Sequence, residues 1–240
     1  MKHILITITL FLTLTSYSQK GKVIYTATFS FDSFYKSKGE SDSNESDKDY
    51  IENTEDIECE LTFNKNESYF KKNDKIVVKK SKFNITNIKV GRGEFYHNRK
   101  DNETIEMYEF FGEDFLITKN KIIWEFENET KTISGYLCKK AVTVLKLSGR
   151  NGIIERKVIA WYAPKIPISF GPKNYNGLPG LIISLQEGDF FYIATKIILN
   201  TTKDILITKP TNGKNMTQNE FDIIIADFNR NRKKYMKRLK

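Results

Sequence analysis

The sequence is short of the groups that carry most enzyme chemistry. Its 240 residues include two histidines, two cysteines and two tryptophans. One histidine, His3, stands at the very start, so a Ser-His-Asp or Cys-His mechanism has to run through His97. That residue lies in the run Phe95, Tyr96, His97, Asn98, Arg99, and no Gly-x-Ser-x-Gly nucleophile turn accompanies it. A P-loop, a dinucleotide fingerprint and a His-Glu-x-x-His helix are also absent. His97, Cys59 and Cys138 have neither the spacing nor the number to build a zinc or copper site. No metal or cofactor is expected. Carboxylates are plentiful, with 30 Asp and Glu, yet nothing singles out a catalytic pair. Apolar runs are short as well, and none reaches the roughly 20 residues of a spanning helix.

What is present begins with a leader. Lys2 and His3 precede an apolar stretch diluted by threonines, and Ser16, Tyr17 and Ser18 fit the small-x-small cleavage rule. Residues 1–18 read as a signal peptide cut before Gln19, which predicts a periplasmic or secreted protein. No cysteine stands at that cut, so a lipid anchor is not expected. The formal net charge of +9 is unevenly spread. Residues 36–56 are rich in Ser, Asp and Glu and lack apolar periodicity, the pattern of a mobile acidic loop. That loop lacks the glycine and closing glutamate of an EF-hand, so calcium is not expected there. Residues 230–240 are strongly basic, either complementing a helix dipole or touching anionic headgroups. Mixed charge on an exported chain argues against nucleic acid as a partner.

The rest alternates. Tyr25, Ala27, Phe29 and Phe31 share one face of a first strand. Further strand-like pieces follow at 57–63, 67–71, 75–78, 94–98, 104–111, 114–118 and 121–126, separated by turn residues. A hairpin follows: residues 136–147 run out, Ser148, Gly149, Arg150, Asn151 and Gly152 turn the chain, and residues 153–162 return. The C-terminus changes period. Thr217 and Glu220 form a capping box, and Phe221, Ile224, Ile225 and Phe228 recur at helical spacing. The predicted fold is mainly β: a single antiparallel, curved, half-barrel-like sheet with a C-terminal helix packed on it, in one domain over residues 19–240. Phe29, Phe31, Tyr35, Phe190, Phe191 and Tyr192 either line a cavity in such a sheet or form its core.

One stretch stands out. Gly171, Pro172, Gly177, Pro179 and Gly180 put three glycines and two prolines into ten residues, directly before an apolar strand. Leu178, Pro179, Gly180 and Leu181 suit a type II turn, with proline at the second position and a positive φ at Gly180. The stretch is either a sharp corner of the sheet or a rigid loop presenting Leu178 and Tyr175 to a ligand. The candidate binding residues are therefore Tyr175, Gly177, Leu178, Pro179, Gly180, Leu181 and Ile182.

Gly177, Leu178, Pro179, Gly180, Leu181 and Ile182 spell the motif of the GLPGLI family of exported bacterial proteins, which the sequence resembles. The resemblance runs over residues 135–186. It includes Gly135, Tyr136, Leu137, Cys138, Lys139, Lys140 and Ala141, then Gly149 and Arg150. Ala160, Trp161, Tyr162, Ile166, Pro167 and Ile168 continue the ordered set, whereas Tyr175 stands where that family suggests phenylalanine. The family has no assigned biochemical role, and its members imply an outer-membrane receptor or another envelope protein as partner. Cys59 and Cys138, in an oxidising compartment, form either a disulfide or two buried thiols. The expected function is an exported envelope binding protein without catalysis, for a lipid-like ligand or a protein partner. The alternative is a periplasmic hydrolase working through His97 or carboxylates.

Overall fold

The computed structural model of the chain describes residues 20–31, 54–73, 84–149 and 152–237. The expected leader, most of the acidic loop, the strand at 75–78, Tyr35, Arg150 and Asn151 lie outside these residues. Twelve strands form one sheet: β1 (Gly21–Phe29), β2 (Ile57–Phe63), β3 (Glu67–Lys72), β4 (Glu94–Asn98), β5 (Glu103–Phe110) and β6 (Glu113–Thr118) make its first half. The second half is β7 (Glu125–Ile133), β8 (Tyr136–Gly149), β9 (Gly152–Ala163), β10 (Leu181–Glu187), β11 (Phe190–Leu199) and β12 (Lys214–Thr217). Two helices, α1 (Ile85–Val90) and α2 (Gln218–Lys237), complete the described chain.

The strand order is β12-β6-β5-β4-β3-β2-β1-β11-β10-β9-β8-β7, so the sheet is open. From β1 to β6 and from β7 to β11 each strand pairs with the next in sequence, and the β1–β11 pair joins these two meanders. Every pairing is antiparallel except β12 on β6, which is parallel. This corrects the purely antiparallel expectation. Parallel neighbours cannot be joined by a tight turn. Here the whole of β7–β11 intervenes between β6 and β12, with residues 200–213 carrying the chain from β11 to β12 across one face of the sheet. There Ile205 and Ile207 cover Tyr96, Ile105 and Leu116.

The sheet curls. Its strands β4 and β8 are seven places apart, which a flat sheet would hold roughly 34 Å from each other at the usual strand spacing. Yet Phe95 of β4 and Leu145 of β8 line one cleft. Alternation explains which face turns inward: Val23, Tyr25 and Ala27 of β1 and Cys59, Leu61 and Phe63 of β2 are all buried. The concave side is filled by the chain itself. From the segment 164–180, Ile166, Ile168, Phe170, Tyr175 and Leu178 are buried against the strands. At about 1.5–3 kcal/mol for each large apolar side chain buried, this segment is held as firmly as a strand. The aromatic residues considered for a cavity divide accordingly. Phe190 and Tyr192 are core, and Phe29 packs on Phe31 at the margin with ring centroids 4.9 Å apart.

Helix α2 sits on the same side at the β6 end. Its capping box forms as expected, with the Thr217 backbone N–H donating to Glu220 Oε2 at 2.7 Å and the Glu220 N–H to Thr217 Oγ1 at 3.3 Å. Phe221 then inserts among Tyr108, Phe110 and Phe115. Asn231 breaks the helical dihedrals, so the basic end starts a second helical piece. Among the described residues no helix is long and apolar enough to cross a membrane.

The cysteines do not bond. Both are free and buried, Cys59 on β2 and Cys138 on β8. Their strands are not neighbours in the sheet order. Burial pushes Cys59 up to about 12 and Cys138 up to about 11, which leaves both as protonated thiols.

Candidate functional site

The segment 164–180 is built from backbone hydrogen bonds that its prolines and glycines permit. Pro164 lies just past the end of β9, where the Ile166 N–H donates back to Ala163 O at 3.0 Å. Tyr175 N–H closes a turn on Pro172 O at 3.0 Å, with Lys173 at φ 52°. The chain then doubles back: Gly177 N–H donates to Ser169 O, Leu181 N–H to Ile166 O and Ile182 N–H to Phe170 O. The positive φ expected at Gly180 is not found there. Gly177, not Gly180, has the left-handed φ, at 87°. Gly180 is needed for space instead, because a Cβ there would lie 2.4 Å from Ala163 O. The type II turn over residues 178–181 is therefore not what forms. Past it, a bulge between Ile182 and Ser184 shifts the β9–β10 register, and the Tyr25 hydroxyl donates to Ile182 O at 2.6 Å.

Of the seven candidate residues, Tyr175 reaches a cleft. Leu178, Leu181 and Ile182 are fully buried, Gly180 is buried, and Gly177 and Pro179 face solvent. Leu178 is thus not presented to a ligand: a leucine on the concave side of a curled sheet is worth more as core. Trp124 Nε1 donates to Asn176 O at 2.8 Å, and the Asn176 amide donates to Thr104 Oγ1 at 3.2 Å, pinning the segment to β5. His97 belongs to this pinning. Its Nδ1 meets Thr104 Oγ1 at 2.8 Å and its ring lies edge-on to Phe170. Burial drops its pKa to about 4, so it is neutral at neutral pH.

The cleft that Tyr175 reaches has a volume of about 490 Å³, within the range of ligand sites. Its inner end is electrostatic. The Glu187 carboxylate accepts from Arg156 Nη1 at 2.9 Å and is bonded by the Tyr175 hydroxyl. Burial works to raise the Glu187 pKa, but Lys173 and Arg156 outweigh it and hold the group below the usual glutamate value. Tyr175 is driven well above the ordinary tyrosine value by burial and by Glu187. The Lys173 ammonium spans the gap to α1, donating to Lys89 O at 3.2 Å and lying 5.6 Å from the Tyr192 ring centroid. Across the cleft Lys119 and Glu106 pair at 2.7 Å, each side chain 15% exposed. At the mouth stand Lys121, Lys146, Asn120, Gln218 and Asp222. Among the described residues no His, Cys, Asp or Glu cluster could hold a metal ion.

Sequence reasoning missed Arg156, Lys173 and Glu187. A signal for Arg156 was there: it shares an inward face of β9 with Val158, Ala160 and Tyr162, where a lone charge needs a partner. Glu187 was hidden inside a turn-like run of Gln186, Glu187, Gly188 and Asp189.

Arg156 and Lys173 fall within a stretch that matches a family model, and Glu187 lies just past it. Residues 149–184 match the Porph_ging family model, a protein of unknown function. The matched stretch takes in β9, the 164–180 segment and the first residues of β10. Two solved structures of PNGF-II, in two space groups, align with 87% of this chain at 20% identity and TM-scores of 0.49 and 0.50. The chain spans 33% of the length of PNGF-II. At that identity the second alignment shows a shared fold and nothing more. A search of curated proteins gave no match.

Proposed function

We propose that the protein is an exported binding protein of the cell envelope, without catalysis of its own, that holds a polar segment of a partner protein in the 490 Å³ cleft. The observation that carries this reading is the cleft's lining. Lysines, carboxylates and side-chain amides converge there, interleaved with short apolar walls from Phe95, Ile122 and Leu145. A lipid carrier needs an apolar interior open to its ligand, and Phe170, Tyr175 and Leu178 of this chain already fill the concave side. Kinship with the GLPGLI family belongs to the same reading, supported by the intact hexapeptide and by its overlap with the matched stretch at 149–184. So do cleavage before Gln19, a periplasmic or secreted location, and an outer-membrane receptor or other envelope protein as partner.

A hydrolase reading has one observation in its favour: Glu187 is held ionised beside Tyr175 in the cleft. His97 does not line that cleft. Native mass spectrometry of the full chain, purified without denaturant from its own cells, tests the binding reading. A retained polypeptide adduct is expected. A clean apo mass, joined with turnover of chromogenic amide, ester or glycoside substrates that is lost in Glu187→Gln, overturns it in favour of the hydrolase.

A further inference from the structure

One aromatic residue sits in a backbone conformation that its own side chain disfavours. The β5–β6 hairpin closes on the Phe110–Glu113 pair, so Phe111 and Gly112 form a two-residue turn, with φ of 54° and 76°. Such a turn takes positive φ at both central positions and is usually built from Asn, Asp or Gly. Among the described residues Phe111 is the one aromatic residue with a positive φ. A bulky side chain there is strained, and the strain persists only where the surroundings hold it.

What holds it is the end of α2. Between ring centroids, Phe111 lies 4.6 Å from Phe110, 5.2 Å from Phe228 and 5.9 Å from Tyr235. Tyr235 in turn packs on Phe228 at 5.6 Å. Phe228 and Tyr235 stand on opposite sides of Asn231, where the helical dihedrals break. Asp227 bridges the same break, accepting from the Asn231 amide at 2.8 Å and from the Tyr235 hydroxyl at 2.6 Å. The piece beyond the break, residues 232–237, is too short to be stable as an isolated helix. It is also strongly cationic, with seven Lys or Arg in residues 230–240, and like charges so crowded disfavour a helix on its own. Its position therefore depends on the rings and the carboxylate that dock it.

We propose that Phe111 is a latch. Its strained turn sets the ring against Phe228 and Tyr235, and the basic piece beyond Asn231 docks and releases as a unit while the sheet stays folded. The docked rings offset the strain of the turn. A residue better suited to the turn leaves the piece unheld.

The test is hydrogen–deuterium exchange of the full chain, read by mass spectrometry on peptides covering the β5–β6 hairpin, residues 218–230 and residues 232–240. In the parent, the last peptide is expected to exchange faster than residues 218–230 and more slowly than the same sequence made as a free peptide. That is the pattern of a docked unit that opens first. Phe111→Asn creates an Asn-Gly turn, which suits the hairpin, and removes the ring. It is expected to speed exchange in residues 232–240 about tenfold, the scale of one or two lost ring contacts, with the hairpin no faster than in the parent. Tyr235→Ala removes the contact from the other side and gives the same pattern; it decides alone where Phe111→Asn does not fold. Exchange of residues 232–240 at the free-peptide rate in the parent, or at the parent rate in either variant, overturns the latch. Hairpin and C-terminal piece accelerating together in Phe111→Asn also overturns it, and makes Phe111 ordinary core of the hairpin.

Discussion

Two tyrosines that lose the same hydroxyl are expected to respond in opposite directions. Tyr25 and Tyr192 are each 0% exposed, on paired neighbouring strands. The Tyr25 hydroxyl donates at 2.6 Å to Ile182 O, beside the bulge that ends the hexapeptide. The Tyr192 hydroxyl is buried without a hydrogen-bond partner. Tyr25→Phe keeps the ring and its edge contact with Phe70 but leaves the carbonyl of a fully buried residue without that donor. The cost of an orphaned buried acceptor is about 1–3 kcal/mol. For a domain of this size each kcal/mol moves Tm by about 2–4 °C, so the variant melts roughly 2–12 °C lower. Tyr192→Phe keeps its contacts with Phe70 and Phe190 and removes a polar group that pays no return, so its Tm is unchanged or higher. Thermal melts by circular dichroism and urea titrations with equal m-values measure both. Tyr25→Phe within about 0.5 kcal/mol of the parent, or Tyr192→Phe more than about 1 kcal/mol below it, refutes the assignment of the bulge latch.

Three further outcomes follow from the same geometry. Gly180→Ala puts a Cβ 2.4 Å from Ala163 O and forces the backbone apart, whereas Gly177→Ala meets open space and carries only the strain of φ 87°. The first is expected to cost more than the second, which is about 1–2 kcal/mol, by urea denaturation; the reverse order contradicts the division of roles. His97, neutral in the fold, makes stability depend on acid. The unfolded imidazole takes a proton below about 6.5 and the folded one only near about 4, so stability is full above the first value and falls with pH between the two. His97→Gln removes that slope in denaturation measured from pH 7 to pH 4; an unchanged slope shows that His97 does not titrate this way. Cys59 and Cys138 are expected to resist iodoacetamide in the native protein at about pH 8 and to add two labels once unfolded without reductant. An unlabelled unfolded chain that gains labels only after reduction restores the disulfide.

Hairpin strands and the capped helix were legible because their periods are local properties. β2 and β4 fall at the expected residues, and Phe221 lands in the core where its helical spacing puts it. β7 was misplaced by several residues because Glu125–Ile133 is an edge strand, mostly exposed on both faces, with no apolar alternation to read. β12 was missed because four residues pairing in parallel leave no hairpin signal. Helix α1, at six residues, is too short for a period to show.

By itself the sequence determined the class of fold, the capped helix, the poverty of catalytic groups and the importance of the glycine-proline stretch. All of these follow from composition and from spacings of a few residues. Only the tertiary structure decided that Leu178 is core and Tyr175 borders a cleft, and that Gly177 supplies the unusual dihedral while Gly180 supplies the space. It also decided that the two cysteines stay apart and that Arg156, Lys173 and Glu187 meet. Those outcomes depend on how far a twelve-stranded sheet curls and on what fills its hollow side. Contacts between residues so distant in the chain are set by packing, which local pattern does not encode.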